Sequence, residues 1–335
     1  MKSPITGKEM TLRIEKSTLV FRKEEFEYNH KSFYCVDSGE SFTTTELDEF
    51  NLNQVYNKYR DKHNIPFPDQ IIELRKKYNL SASLMSKILG FGINSYRNYE
   101  NGEVPSSSNA NLINTVLKSP RNLKLLGELN NDLSEDEKSK ILAKIKSVID
   151  YQKENKDDIT YVDILFEDKL PNNYSGYRKP NMGKMANMIL FFAENMNPSE
   201  TMMNKLLFYS DFYNYKKTAY SISGSNYMAH NYGPVPVRYG GIFDYASNKE
   251  YIYINIEDFG NNHWGKCFYK SKNRDFNSEL FSEEELKSLE SVRETFKRSN
   301  ATQIMEKSHE EKAWIDNEQN KNLIDYSYSF ELLHL

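Results

Sequence analysis

Apolar and polar residues alternate over short stretches in the first fifty residues of the chain. Thr11–Ile14 and Thr18–Phe21 alternate in part, and Ser32–Val36 forms a third apolar run. Turn-forming Pro, Gly and Asn residues separate these runs, so the pattern predicts three short strands. A piece of this size with so few apolar positions has a small core. We therefore expect it to need a metal or a neighbouring element for stability.

The pattern becomes helical from Thr45 onward. Apolar residues recur at helical spacing, and side chains that can cap a helix N-terminus precede several of these stretches. Asp69 and Ser81 are predicted to cap two short helices. Asn94–Glu100 is predicted to form a third, which ends before Gly102, a residue suited to a left-handed helix terminus.

Helices also dominate the rest of the chain, together with one pair of strands. The capping box Ser134–Glu137 predicts the start of an amphipathic helix, and the alternating strand Tyr251–Ile256 can pair with Lys266–Tyr269. The remaining helices are predicted at Met185–Met196, from Pro198 onward, at Phe281–Lys297 and at Ala301–Asp316. The predicted fold class is α+β, mainly α. It comprises a small β ribbon-like N-terminal piece, a helix-turn-helix domain and a mostly helical C-terminal domain with a short β element.

Composition and charge narrow the classes of function. The 335 residues carry a net charge of −4, so a uniformly basic nucleic-acid binder is excluded, although a local basic patch is not. The N-terminus lacks the apolar stretch of a signal peptide, and no apolar run is long enough to span a membrane. Cys35 and Cys267 are the only cysteines, too few for a disulfide framework. These features predict a cytoplasmic protein with no membrane partner.

The segment Asp69–Gly102 has the organisation of a helix-turn-helix, with three short helices and a tight turn between the second and the third. Its third helix carries side chains suited to the major groove, since Asn bonds adenine edges and Arg bonds guanine edges. Basic residues outnumber acidic ones locally, which favours attraction to phosphate. The candidate DNA-binding residues are Asn94, Ser95, Arg97, Asn98 and Lys87. The alternative is a small helical hairpin without a nucleic-acid partner.

Ser81–Gly102 resembles the helix-turn-helix of the MqsA-type antitoxins and regulators, through its Leu-Gly-Phe-Gly-Ile-Asn run and its Tyr-Glu-Asn-Gly ending. In that family an Asn at the start of the recognition helix and an Arg four residues later read bases. Asn94 matches the first position. The second position is Asn98, with Arg97 one residue earlier, so the resemblance implies a different sequence preference.

The same family begins with a zinc ribbon that has two Cys-x-x-Cys knuckles. This chain has Ser3 and Thr6 in the first knuckle, and Cys35 and Ser38 in the second. Zinc sites in proteins use thiolate, imidazole or carboxylate ligands, and neutral hydroxyl groups are poor substitutes. The resemblance therefore implies a degenerate, ribbon-like fold, which we predict to contain no metal and no other cofactor.

A second resemblance lies in the C-terminal half. Four motifs of this half are similar to the Panacea (SocA-like) antitoxin domain, over roughly residues 183–320. They are the helix Lys205–Tyr209, the turn Ser221–Gly224, the segment Gly233–Pro236 after Tyr227, and Ser308–Trp314. The resemblance implies a mainly helical, non-catalytic domain that holds and neutralises protein toxins. The residues to which we assign toxin contact, on weaker grounds, are Tyr227, Tyr232 and Arg238. Tyr and Arg are frequent interface anchors, but each of these could instead belong to the core.

The C-terminal half also contains residue types that an enzyme could use. Asp211, His230 and His309 are candidate acid–base groups. Ser210 or Ser308 could serve as a nucleophile only beside a base, and the chain has no nucleophile elbow, phosphate-binding loop or zinc-protease motif. We therefore expect no enzyme activity.

The sequence thus predicts four segments. They are a degenerate zinc-ribbon-like domain at 1–64, a helix-turn-helix domain at 65–118, a helical spacer or linker at 119–180, and a Panacea-like toxin-binding domain at 181–335. The predicted function is a bacterial antitoxin that neutralises a cognate toxin and represses its own operator, with a homodimer on a palindromic site. The alternative is a mobile-element or prophage regulator whose C-terminal domain binds a different protein.

Overall fold

Helices make up most of the computed structural model, which describes residues 1–166, 170–260 and 264–335. This confirms the α+β, mainly α class. The chain divides into two compact units, Met1–Tyr161 and Val162–Leu335. The four-segment division stays a prediction, and parts of it, residues 167–169 and 261–263, lie outside the described residues. Within the described ranges, no helix has both the length and the apolar character needed to cross a membrane.

The elements follow one another in a simple order. From the N-terminus to residue 166 they are β1 (Thr11–Phe21), β2 (Glu24–Tyr34), β3 (Ser41–Phe42), α1 (Thr45–His63), α2 (Pro68–Lys77), α3 (Ala82–Ile88), α4 (Ser95–Glu100), α5 (Ser107–Lys118), α6 (Pro120–Leu129), α7 (Glu135–Glu154) and α8 (Lys156–Phe166). The remainder are α9 (Met182–Met196), α10 (Glu200–Thr218), β4 (Tyr227–His230), β5 (Gly233–Pro236), α11 (Tyr239–Asn248), β6 (Ile252–Asp258), β7 (Trp264–Lys270), α12 (Glu283–Phe296), α13 (Ala301–Glu310) and α14 (Lys312–Ile315).

The N-terminal ribbon differs from the three short strands predicted. The first two predicted strands are one continuous strand, β1, which pairs with β2 along its whole length in an antiparallel sheet. Arg22 and Lys23 form the connection with φ values of 49° and 69°, the left-handed conformation of a two-residue hairpin turn. The sequence pattern missed most of β2 because its exposed positions are charged, which gives no apolar run.

Helix α1 covers the open edge of β2 through its side-chain amides. Asn51 accepts a hydrogen bond from the Lys31 amide at 2.8 Å and donates to the Lys31 carbonyl at 3.0 Å. Gln54 does the same at Asn29, with distances of 3.0 and 2.8 Å. The helix thereby satisfies backbone groups that an edge strand otherwise leaves unpaired.

A helical core organises the rest of the N-terminal unit. The Ser81 hydroxyl caps α3, and Ser134 and Glu137 form the predicted capping box of α7, so both predictions are confirmed. Asp69 was predicted to be the N-cap of α2, but Phe67 holds that position, two residues earlier, and Pro68 occupies the first turn. The buried core residues of these helices are Ile71, Leu74, Tyr78, Leu80, Met85, Ile88, Leu89, Tyr96, Tyr99, Ile113, Val116, Leu123, Leu133, Ile141 and Ile145.

The C-terminal unit is built around α10, which is buried on all sides over most of its length. Such a helix lies inside a domain rather than on its surface. The hairpins β4–β5 and β6–β7 are antiparallel, and the second confirms the predicted strand pair. The single helix predicted at Ala301–Asp316 is two helices, because Glu311 adopts extended backbone angles between them.

The segment Pro171–Tyr177 was predicted as a linker, and this interpretation is wrong. Ser175 is fully buried, and its carbonyl accepts a hydrogen bond from the Ser221 hydroxyl at 2.7 Å. Gly176 has a φ of 58°, and a Cβ atom there would lie 2.6 Å from the Cβ of Ser221. The glycine therefore permits a close approach, and the segment is part of the packed C-terminal unit.

Candidate DNA-binding and partner-binding surfaces

The inner face of α4 is anchored by two tyrosines. Tyr96 is fully buried, and its hydroxyl donates to the Ile71 carbonyl of α2 at 2.8 Å. The Tyr99 hydroxyl accepts a hydrogen bond from the Asn109 side chain of α5 at 2.8 Å. These contacts fix the rotation of a very short helix, so the opposite face is held towards solvent.

That outer face carries Asn94, Arg97 and Asn98, which are all exposed, while Ser95 is half-buried. Their spacing places them on one side of a helix. Within the described residues, none of these three exposed side chains has an intramolecular hydrogen bond or ion pair. The predicted base-reading side chains are therefore brought together and are free to bind an external group.

The amide of Asn94 is available because another residue caps the helix. Asn94 occupies the N-cap position, where Asn normally bonds the first turn, but its side chain makes no such bond. Instead, the buried Ser86 hydroxyl of α3 accepts a hydrogen bond from the Tyr96 amide at 3.1 Å. Sequence reasoning missed Ser86, since nothing in a helical pattern marks a serine that caps a neighbouring helix.

Two of the basic side chains counted around this segment already have acidic partners. The ammonium group of Lys87 lies 3.0 Å from a Glu137 carboxylate oxygen. The guanidinium of Arg75 lies 2.6 Å from Glu100, which ties α2 to α4. The positive charge that this segment can offer to phosphate is therefore smaller than the sequence suggested. Beside Asn94, the main positive charge without an acidic partner is that of Arg97.

The ribbon positions that hold zinc in the related family form a hydroxyl and thiol cluster. The Cys35 sulfur lies 3.3 Å from the Thr6 hydroxyl oxygen and is fully buried. Hydrogen bonds from the hydroxyl groups of Ser3, Ser38 and Thr6 lower the pKa of the thiol to about 6. One thiol and three hydroxyl groups do not fit a zinc ion, whose ligands are nitrogen, sulfur or carboxylate oxygen. No set of three or more His, Cys, Asp or Glu side chains arranged for a metal occurs in the described ranges.

In the C-terminal unit, Tyr227 is fully buried, and its hydroxyl donates to Asp211 at 2.7 Å. The same carboxylate accepts hydrogen bonds from the Ser223 hydroxyl at 2.5 Å and from the Ile222 and Ser223 amides at 2.7 and 2.8 Å. Burial raises the pKa of Asp211, and these hydrogen bonds oppose that effect. Tyr227 thus fills the core and orders the turn beside it, and a direct contact with a partner would require this core to open.

The other two predicted toxin-contact residues lie at the surface. Tyr232 is 62% exposed at the β4–β5 turn. Arg238 is exposed, has a φ of 59° and donates a hydrogen bond to the Ile164 carbonyl. A left-handed backbone conformation is uncommon for an arginine and costs on the order of 1 kcal/mol.

The candidate acid–base groups do not form a nucleophilic pair. The Ser210 hydroxyl donates to the Leu206 carbonyl, and the Ser308 hydroxyl donates to the Met305 carbonyl, both within their own helices. His309 stacks on Trp314 with ring centroids 3.9 Å apart. Within the described residues, neither serine has a hydrogen bond to Asp211, His230 or His309.

Sequence reasoning also missed Lys205, which lies fully buried in α10. Its ammonium group donates to the Pro234 carbonyl at 3.1 Å, and burial lowers its pKa to about 7. Gly233 has a φ of 92°, and a Cβ atom there would lie 2.7 Å from the Cε atom of Lys205. The sequence signal that could have indicated this contact is the Gly-Pro pair that follows an apolar helix carrying a lysine. Glycine allows the backbone to come close to the lysine side chain.

Each of the two units contains a region that matches a family model. Residues 1–130 match the family model for the antitoxin component of bacterial toxin-antitoxin systems, MqsA, and residues 203–315 match that for the SocA-like antitoxin, Panacea domain. Both resemblances inferred from the sequence are therefore confirmed. Because both families are antitoxins, they support an antitoxin role and point to a regulatory function rather than an enzymatic one. No curated protein matches the chain.

Proposed function

We propose that this protein is an antitoxin that also represses transcription. The C-terminal unit binds and neutralises a cognate protein toxin, and the outer face of α4 binds operator DNA as part of a homodimer. The observation that carries the DNA-binding part is the exposed set Asn94, Arg97 and Asn98, whose side chains have no intramolecular partner within the described residues. The two antitoxin matches support the toxin-binding part. The protein acts without a catalytic residue or cofactor, in the cytoplasm.

The DNA-binding part is tested by a gel shift with the region upstream of the gene. Asn94→Ala and Arg97→Ala should each weaken specific binding by about 1–3 kcal/mol if the side chains read bases. Asn111→Ala and Arg121→Ala are matched controls, because both residues are exposed on neighbouring helices. Unchanged binding in both test variants would contradict the assignment of α4 as the recognition helix.

The toxin-binding part is tested by co-expression with a neighbouring gene. A gene product that is toxic alone should be harmless together with this protein. Tyr232→Ala should reduce this protection, since an interface anchor contributes about 2 kcal/mol or more to binding. Tyr174→Ala serves as the control, because Tyr174 is also exposed in the same unit. If no neighbour is neutralised, the antitoxin role fails and the regulator with a different protein partner becomes the better description.

Toxin and operator binding are expected to be linked. If each ligand prefers one arrangement of the protein, binding of either changes the affinity for the other by the same factor. Titrating the toxin into the operator complex measures this factor directly.

A further inference from the structure

Ile93 is the most exposed large apolar residue of the chain as described, with 76% of its surface accessible. It lies in the turn before α4, between Gly92 and Asn94, which are also exposed. Among residues 65–118 it is the only large apolar side chain that is exposed, and it packs into neither hydrophobic core of the N-terminal unit. The folded chain therefore does not use this isoleucine for packing.

We propose that Ile93 reads a thymine by contacting its C5-methyl group in the major groove. This inference rests on the proposed DNA-binding function. The methyl group is the apolar feature that distinguishes thymine in the groove, and apolar side chains recognise it. Ile93 directly precedes Asn94, whose unpaired amide suits an adenine edge, so adjacent residues offer a matched apolar and polar pair. Arg97, exposed on the same helix, supplies the positive charge that an interface with DNA requires.

The test replaces thymine by deoxyuridine, which lacks only the methyl group. The wild-type full-length protein first selects its binding site from a random-sequence DNA library. Each thymine of that site is then replaced singly, and the dissociation constant is measured at one fixed salt concentration. At one thymine per half-site, the replacement should weaken wild-type binding about fourfold, the ratio expected for losing one buried methyl contact.

Variants of Ile93 test whether its side chain causes the effect of deoxyuridine. Ile93→Ala should weaken binding to the thymine site and remove the deoxyuridine effect, while Ile93→Val should keep most of it. Val36→Ala is the control, since Val36 is 73% exposed but lies in the ribbon; it should behave like wild type. Specific binding without any deoxyuridine effect, or an effect that persists in Ile93→Ala, overturns the proposal for Ile93 and leaves the DNA-binding function intact. Failure of the wild type to select any site overturns both.

Discussion

The outer face of α4 and the buried carboxylate of Asp211 both concentrate polar groups, but in opposite ways. Asn94, Arg97 and Asn98 are exposed and have no partner within the chain as described. Asp211 is fully buried, and its two oxygens accept four hydrogen bonds. Polar groups that are buried must be paired, because an unpaired one costs on the order of 1–3 kcal/mol. Pairing therefore marks Asp211 as part of the architecture, whereas the exposed polar groups of the α4 face are the ones that we propose to bind DNA.

The comparison is tested most strongly by Asp211→Ala. The change leaves the Tyr227 and Ser223 hydroxyls and two backbone amides without their acceptor. We expect the C-terminal unit to lose about 3–5 kcal/mol of stability, since each buried group left without a partner costs about 1–3 kcal/mol. Urea unfolding measures the loss, and Asp244→Ala, which alters an exposed acid, should change little. If Asp211→Ala lowers the free energy of unfolding by less than about 1 kcal/mol, the paired carboxylate is not an important part of the architecture.

Lys205→Met gives a pH-dependent test of the buried amine. The pKa of Lys205 is about 7 in the folded chain and 10.5 in its ordinary state, so the unfolded chain holds more protons between these values. Raising the pH through this window therefore favours the folded wild type. Its stability should rise relative to Lys205→Met by a few kcal/mol between pH 7 and 10, at about 1.4 kcal/mol per pH unit.

Urea unfolding at several pH values measures this difference. Lys217→Met, which alters an exposed lysine of the same helix, should follow the wild-type curve. Parallel curves for the wild type and Lys205→Met would show that Lys205 keeps an ordinary pKa.

Ser86→Ala is expected to affect both stability and DNA binding. It removes the buried acceptor of the Tyr96 amide, so it should destabilise the N-terminal unit by about 1 kcal/mol, as for the loss of a helix cap. If Asn94 then turns back to cap its own helix, DNA binding should also weaken. Thermal unfolding and gel shifts test both effects, with Ser83→Ala as the control on the exposed side of α3. Lower stability with unaltered DNA binding would show that base recognition does not depend on the cap that Ser86 provides.

The cluster around Cys35 provides the smallest expected effect. The neighbouring hydroxyl groups hydrogen-bond the Cys35 thiol, so we expect that no metal is required. Elemental analysis of protein purified without chelator should find far less than one zinc per chain, and EDTA should leave the unfolding temperature unchanged. About one zinc per chain would contradict this expectation.

The sequence predicted the helices well where caps and periodicity agree, as at Ser81 and Ser134. It failed where long-range contacts decide the structure. β2 has charged outer positions and depends on its pairing with β1, and Pro171–Tyr177 has the composition of a linker but is held by contacts with distant residues such as Ser221.

The candidate sites likewise divide into residues that a local motif could predict and residues whose roles depend on long-range contacts. The residues of the α4 face could be named from a local motif, because a helix places neighbouring positions on one face. Burial could not be read in this way. Tyr227 has the residue type of an interface anchor, but the Asp211 carboxylate holds it in the core. The roles of Ser86 and Lys205 likewise depend on contacts across elements.

The cover that α1 provides for β2 has a consequence for the order of folding. Asn51 and Gln54 reach strand residues that lie only 20 and 25 positions earlier in the chain. Closing loops of this length costs little entropy, and contacts of short sequence separation form quickly. The hairpin and its covering helix can therefore assemble during synthesis, before the C-terminal unit has left the ribosome. An open strand edge would then be exposed to other nascent chains only briefly.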